Sequence, residues 1–341
     1  MKVYTFKQAA LDEWVKSWLS THKVYRAAAK KGETCGAHAG WTEMTDFSLP
    51  PTGPAKSSVK TFYFPQPETM ATYSAKKEDP DGLLMENQDT PAEKQVVFGV
   101  RPCDGRSVEL NNLPYVDDPF YQANRERTIL VGFSCAEQKA TCFCTKTGGS
   151  PYGTEGLDIA LSLVGDAFLV EIITDKGAEL VGNGADLTEA SESEIAELAR
   201  LRQGVEENPG HDEILKAKEM TALHEAPFWD KVAESCLNCG ACTFLCPTCY
   251  CFDIQDEVVR GQGKRIRYWD SCMFPLYTLH TTGHNPRGKK VQRVRNRFMH
   301  KLKYFPDRFG PLSCVGCGRC IQECPVNIDI REVLTDLLVV E

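Results

Sequence analysis

Apolar positions change period several times along the chain, and each change marks an element. Ala10, Leu11, Trp14, Val15, Trp18 and Leu19 recur at helical spacing within residues 7 to 30. This predicts an amphipathic helix whose tryptophans pack against a core. Residues 49 to 58 are rich in proline and glycine and predict a loop. Residues 66 to 95 are polar with several prolines and predict a long surface excursion. Two nearly continuous apolar runs follow, Gln95 to Arg101 and Thr128 to Phe133. Such runs fit strands buried on both faces of a mostly parallel sheet. The chain between them holds helical stretches and suffices for a crossover. Leu157 to Thr174 predicts a hairpin around Gly165 and Asp166. From Leu187 to about Leu201 the period is helical, with Ser191 and Glu194 at capping-box spacing, and Gly204 to Gly210 breaks it. Phe228 to Glu234 predicts a short helix. Phe252 to Arg260, Pro275 to Thr281 and the basic run Arg287 to Lys303 also read as helices.

With 341 residues, 42% of them hydrophobic and 25% charged, the chain has room for two domains with real cores. The boundary is expected near residue 222. Residues 1–222 would form an α/β domain with a mostly parallel sheet, and residues 223–341 an α-helical ferredoxin-like domain, an α+β protein as a whole. The formal charge of −8 gives no case for nucleic acid as a partner. Met1 to Phe6 does not open an apolar signal core, and no stretch has the apolar length of a membrane span. These features lead us to expect a cytoplasmic protein. Thiols stay reduced there, so the 16 cysteines read as metal ligands or reactive groups before disulfides.

Cys236, Cys239, Cys242 and Cys246 form a C-x2-C-x2-C-x3-C run closed by Pro247. Cys314, Cys317, Cys320 and Cys324 repeat the spacing, closed by Pro325. This is the ligand run of two-cluster [4Fe–4S] proteins, in which the fourth cysteine of each run serves the other cluster. Cysteines three apart in a tight turn aim three sulfurs at three corners of a cubane. Gly240, Gly316 and Gly318 let the backbone come close, and each proline ends the turn after the fourth cysteine. The exchange rule assigns Cys236, Cys239, Cys242 and Cys324 to cluster A, and Cys314, Cys317, Cys320 and Cys246 to cluster B. A structural zinc site usually shows paired C-x2-C or Cys/His ligands and fits this pattern poorly.

Cys103 and Cys135 directly follow the two apolar runs. If those strands are parallel, both thiols sit at the carboxyl edge of one sheet, where open α/β sheets place ligands. Cys142 and Cys144 lie just beyond and, two apart, can face a common centre. A third [4Fe–4S] cluster held by Cys103, Cys135, Cys142 and Cys144 and four merely packed thiols are both open on spacing alone. The turn Gly148 to Pro151 would cover such a cluster. Cys35 reads as incidental, and Cys249, Cys251 and Cys272 stay unassigned. The run Arg287, Lys289, Lys290, Arg293, Arg295, Arg297, Lys301 and Lys303 fits a solvated helix face, compensation of cluster charge, or docking of an acidic partner. Neither a dinucleotide fingerprint nor a P-loop occurs, and the seven histidines are scattered.

The C-terminal half resembles the α-helical ferredoxin domain of fumarate reductase iron–sulfur subunits and heterodisulfide reductases. The whole chain more closely resembles the β subunits of cytoplasmic multisubunit nickel–iron hydrogenases and the A subunit of anaerobic sulfite reductase. Arg101 to Asp104, Cys142 to Cys144, Cys246 to Cys251, Trp269 to Cys272, Gly283 to Asn285 and Cys314 to Cys320 carry that resemblance, which spans roughly residues 100 to 330. It implies an electron-transfer subunit rather than a self-sufficient enzyme, and it favours the third cluster. It also implies a hetero-oligomer in which a flavin/NAD(P)-binding subunit, or a hydrogenase or reductase subunit, exchanges electrons with this one. Two rivals come from other classes. One is an enzyme with its own active-site cluster or redox thiols among Cys249, Cys251 and Cys272. The other is a zinc-stabilised interaction module.

Overall fold

The computed structural model describes residues 3–29, 38–47, 49–50, 53–74, 86–87, 93–182, 187–206 and 223–338. Cys35 and the expected boundary near 222 lie outside them. The described strands are β1 (Val3–Lys7), β2 (Lys23–Ala29), β3 (His38–Glu43), β4 (Glu68–Ser74), β5 (Glu86–Asn87), β6 (Gln95–Val100), β7 (Thr128–Phe133), β8 (Ile159–Val164), β9 (Ala167–Ile172), β10 (Thr188–Glu189), β11 (Phe252–Val259) and β12 (Gln262–Trp269). Eight form one sheet in the order β10-β1-β9-β8-β7-β6-β2-β3, and the others form a second in the order β11-β12-β4-β5. Pairings β2–β6, β6–β7 and β7–β8 are parallel, and the flanking pairings are antiparallel. The principal helices are α1 (Leu11–Leu19), α2 (Pro102–Asn112), α3 (Pro119–Glu126), α4 (Glu192–Glu206), α5 (Phe228–Glu234), α6 (Lys290–Met299) and α7 (Ile330–Leu338). The fold is α+β.

Burial on both faces explains the unbroken apolar runs. Val96, Phe98, Ile129 and Val131 point into a core with Trp14 and Trp18 of α1. Val97, Val100 and Leu130 point to the other face, against Val59, Phe62 and Tyr63. Strand side chains alternate, so a strand covered on both sides has no polar face to show. The hairpin β8–β9 turns at Gly165 as expected. Ser191 Oγ accepts from Glu194 N at 3.3 Å, and Ser191 N donates to Glu194 Oε2 at 2.8 Å. That reciprocal pair is the capping box of α4. A separate core joins α5, α6 and α7 through Trp229, Phe298, Leu302, Ile330, Val333 and Leu334, and Phe143 enters it from the other half of the chain.

Several elements differ from expectation. The helix of residues 7 to 30 is confined to Leu11–Leu19. Residues 23–29 form β2, because they pair in parallel with β6 on one side and antiparallel with β3 on the other. Within residues 66–95, Glu68–Ser74 is a strand of the second sheet rather than a surface excursion; 75–85 and 88–92 lie outside the described residues. Phe252–Arg260 is not a helix: Arg260 and Gly261 both have positive φ (52° and 80°) and close a two-residue hairpin turn between β11 and β12. Residues 275–281 are turns. Gly204 does not end α4, which runs on to Glu206.

The second sheet is fastened to the first layer by Arg267 on β12. This guanidinium is buried, pairs with Glu68 of β4 and Asp118 at the cap of α3, and stacks near Phe64 and Tyr115. Removing one member of a buried ion network leaves charges without compensation. Arg267→Ala is expected to lower stability by about 3 kcal/mol or more, read as a fall in the urea midpoint. An unchanged midpoint would contradict the role given to Arg267.

Candidate metal centres

Strands β6 and β7 are parallel, so their carboxyl ends share an edge. Cys103 lies there in the first turn of α2, and Cys135 follows β7 with its N–H bound to Pro151 O at 2.8 Å. Cys142 and Cys144 come back over the same edge in the loop after Cys135. All four thiols border one pocket, with Ser150 and Pro151 beside them. Gly149 N donates to Cys144 O at 3.0 Å, which places the expected covering turn at the pocket.

The two four-cysteine runs adopt one backbone conformation. Asn238 (φ 55°) and Gly316 (φ 60°) occupy the same place before the second cysteine of each run, and Gly240 (φ 79°) and Gly318 (φ 75°) the same place after it. Left-handed residues at both places turn the chain so that the short helices Ala241–Phe244 and Arg319–Gln322 start alike. These two helices pack on each other. Cys236, Cys239, Cys242 and Cys324 border one pocket beneath Met273, Arg297 and Phe298. Cys246 is an electrostatic neighbour of Cys314 and Cys317, and Cys320 of both.

The loop carrying Cys142 and Cys144 is seated on the loop carrying Cys314 to Cys320. Phe143 N donates to Gly316 O at 2.8 Å, and Cys142 Sγ lies 3.9 Å from Cys317 O. A Cβ at Gly316 would strike the Phe143 carbonyl carbon, and one at Gly318 the Thr141 carbonyl. Glycine is required there by close approach as well as by φ.

Buried cations surround these thiols. Lys301 Nζ, 3% exposed, lies 3.1 Å from Cys246 Sγ and 3.0 Å from Thr248 Oγ1, and donates to Ser313 O at 3.1 Å. Nearby thiols hold its ammonium charged against burial. Arg297, one helical turn before it, is stabilised in its charged form by Cys242 and Cys320 despite burial. Arg319 pairs with Asp104 at 2.7 Å and donates to Ala55 O at 2.7 Å, bridging the two halves. Lys60 donates to Cys249 O at 3.0 Å and sits 4.1 Å over the Trp269 ring, and burial lowers its pKa to about 8. Of the basic run, Arg293, Arg297 and Lys301 therefore turn inward, while Lys289 and Lys290 are exposed.

Burial pushes the thiols of Cys144 and Cys314 up to about 11 and that of Cys317 to about 12, and raises those of Cys103, Cys135 and Cys242. A buried thiol gives up its proton when a metal replaces it. Arg297 Nε and Arg319 Nη1 are buried with no hydrogen-bond partner. Orphaned donors beside crowded thiols fit an anionic group between them. Among the described residues no three Cys, His, Asp or Glu side chains gather closely enough to hold a single metal ion. The thiols instead border shared spaces. Donor set, orphaned donors and shared spaces all fit iron–sulfur clusters.

Known proteins agree with this chemistry. Residues 235–328 match the 4Fe-4S dicluster domain family. The chain is 35% identical over 252 residues to the sulfhydrogenase 2 subunit beta of Pyrococcus furiosus, covering 72% of this chain and 74% of that protein. The chain belongs to the family of iron–sulfur β subunits of hydrogenase-type complexes. A protein of Synechocystis described as a pyruvate-flavodoxin oxidoreductase is 25% identical over 104 residues, 30% of this chain and 7% of that protein. No solved structure matches. Membership covers the [4Fe–4S] chemistry of this β-subunit family, and no described helix is long and apolar enough to cross a membrane.

The sequence patterns single out the cysteines and the basic run that holds Arg297 and Lys301, and miss Lys60 and Arg319. Lys60 opens a short helix, Lys60–Tyr63, just after the proline- and glycine-rich loop, and Arg319 hides inside a cysteine motif. The run as a whole leaves solvated face, charge compensation and partner docking open, and a spacing of four, which puts Arg293, Arg297 and Lys301 on one helix face, is the signal that could have found the inward-turned cations. Lys301→Met is expected to lower the reduction potential of the centre that includes Cys246 by about 60 mV, which is ~1.4 kcal/mol for one electron. Lys301→Arg should restore most of it. An unmoved potential in a spectroelectrochemical titration would contradict the electrostatic role.

Proposed function

We propose that this chain relays single electrons within a hetero-oligomeric hydrogenase-type complex, through three [4Fe–4S] clusters. Cys236, Cys239, Cys242 and Cys324 hold the first, and Cys246, Cys314, Cys317 and Cys320 the second. Cys103, Cys135, Cys142 and Cys144 hold the third. The first two sets belong to a ferredoxin-like unit of residues 223–341 and the third to an α/β unit of residues 1–222. A [4Fe–4S] cluster supplies one-electron redox chemistry at a potential set by its surroundings.

The observation that carries the reading is the seam at Gly316 and Gly318. It joins the loop of the third thiol set directly to the loop of the second. The first and second sets are interleaved through Cys246 and Cys324. Twelve thiols thus form one contiguous series across both halves. The protein's own work is to keep water out, which the apolar walls of Met273, Phe298 and Phe143 do. It also places positive charge and N–H donors around the sulfurs, as Arg297, Lys301 and Arg319 do.

One end of the series reaches the surface. Cys239 is the exposed thiol among the described cysteines, and its neighbour Leu237 is 65% exposed. An exposed leucine beside an exposed ligand suits a partner that must approach closely, such as a flavin/NAD(P)-binding subunit. Cys239→Ser is expected to remove about four iron per chain and to stop electron transfer to the partner. Leu237→Glu should keep the iron and slow transfer by about tenfold, a loss of ~1.4 kcal/mol in the productive encounter. Unchanged iron and unchanged transfer in Cys239→Ser would sink the assignment.

A further inference from the structure

Beside the thiol series lies a cavity of about 630 Å³ that borders none of its twelve thiols. Three thiols, Cys249, Cys251 and Cys272, border it. Its lining also carries Arg287, Arg295, Arg297 and Lys301, and among the described residues no carboxylate lines it. Arg295 is partly engaged by Glu225 at 3.1 Å. Arg287 Nε is buried without a hydrogen-bond partner. The cavity is therefore basic, and its lining holds a donor that lacks an acceptor.

Two of the thiols flank the base of the β11–β12 hairpin. Phe252 and Trp269 are opposed at its base, and Asp270 N donates to Cys251 O at 2.9 Å. Cys251 precedes β11 by one residue and Cys272 follows β12 by three, both border the cavity, and the two thiols are hydrogen-bonding neighbours. A disulfide between them requires the two sulfurs to come to bond distance with their Cβ atoms about 3.5–4.5 Å apart. Cys249 instead faces Cys246 and Lys60.

We propose that Cys251 and Cys272 form a redox-active dithiol bordering this cavity, which takes a small anionic disulfide. In the exchange, one cysteine thiolate attacks the bound disulfide and expels one small thiol. The other cysteine then displaces the second small thiol, leaving an S–S bond between Cys251 and Cys272. One disulfide and two cysteine thiols become one protein disulfide and two small thiols. The protein disulfide is reset by two electrons, delivered singly by an iron–sulfur donor, and two protons. Only that last step rests on the relay reading.

The test uses the full chain, purified anaerobically with its iron and equilibrated in thiol–disulfide buffers of graded potential. Acid quenching, alkylation and mass spectrometry then read each cysteine. A Cys251–Cys272 cross-link is expected to appear and vanish with a two-electron dependence on potential. At low salt, glutathione disulfide, which is anionic, should form it about tenfold faster than cationic cystamine. Cys251→Ser and Cys272→Ser should lose the cross-link and keep iron and sulfide. Separate labels on Cys251 and Cys272 at every potential would overturn the proposal, as would a loss of about four iron in either variant. Cystamine acting as fast as glutathione disulfide would overturn the anionic class. The wild-type series decides even if a variant does not fold. Wild type lacking iron but forming the cross-link would fail the relay and leave this site standing.

Discussion

Buried sulfur ligands need buried positive charge, and the rest of this structure depends on that requirement. Twelve thiols converge in a chain whose net charge is −8. Four thiolates leave each cluster anionic, and an anion in a protein interior is tolerated only when cations and N–H donors face it. Lys301, Arg297 and Arg319 meet the need from different elements; the thiols they face hold Lys301 and Arg297 charged, and Asp104 ahead of Cys317 and Cys103 does so for Arg319. Arg297 and Lys301 sit four residues apart, so one face of α6 and the turn after it serves two neighbouring thiol sets. Arg319 ties the compensation to Asp104 and to the α/β half.

The same requirement shapes the join between halves. If three clusters are to exchange electrons, their loops must touch, and side chains at the contact would hold them apart. Gly316 and Gly318 remove the side chains where Phe143 and Thr141 approach. Phe143 then runs into the core of the helical half, which makes the contact an apolar seam rather than a wet interface. The hairpin β11–β12 adds a second tie, since it completes a sheet with β4 and buries Arg267 between them.

How much was legible in the sequence followed from how local each signal is. The cysteine runs are local spacings, and their backbone is repeated almost residue for residue in the structure. Strands β6 and β7 were legible because burial on both faces leaves an unbroken apolar run. The convergence of Cys103, Cys135, Cys142 and Cys144 was legible once those strands were taken as parallel, although the spacing itself is no recognised motif. Elements decided by distant partners were not legible. Lys23–Ala29 looks helical until β6 and β3 claim it, and Glu68–Ser74 looks like surface until β12 pairs with it. Phe252–Arg260 was misread because a left-handed Arg260 is an unusual turn residue. Burial of Lys60, Arg297 and Lys301 depends on what packs over them, which a run of basic residues does not reveal.

The most direct measurement is iron and acid-labile sulfide per chain on anaerobically purified protein, with EPR of the fully reduced sample. Three contiguous clusters predict about twelve of each and signals broadened by spin coupling between neighbours. About eight of each, with the signature of two clusters alone, would contradict a relay that runs through both halves of the molecule.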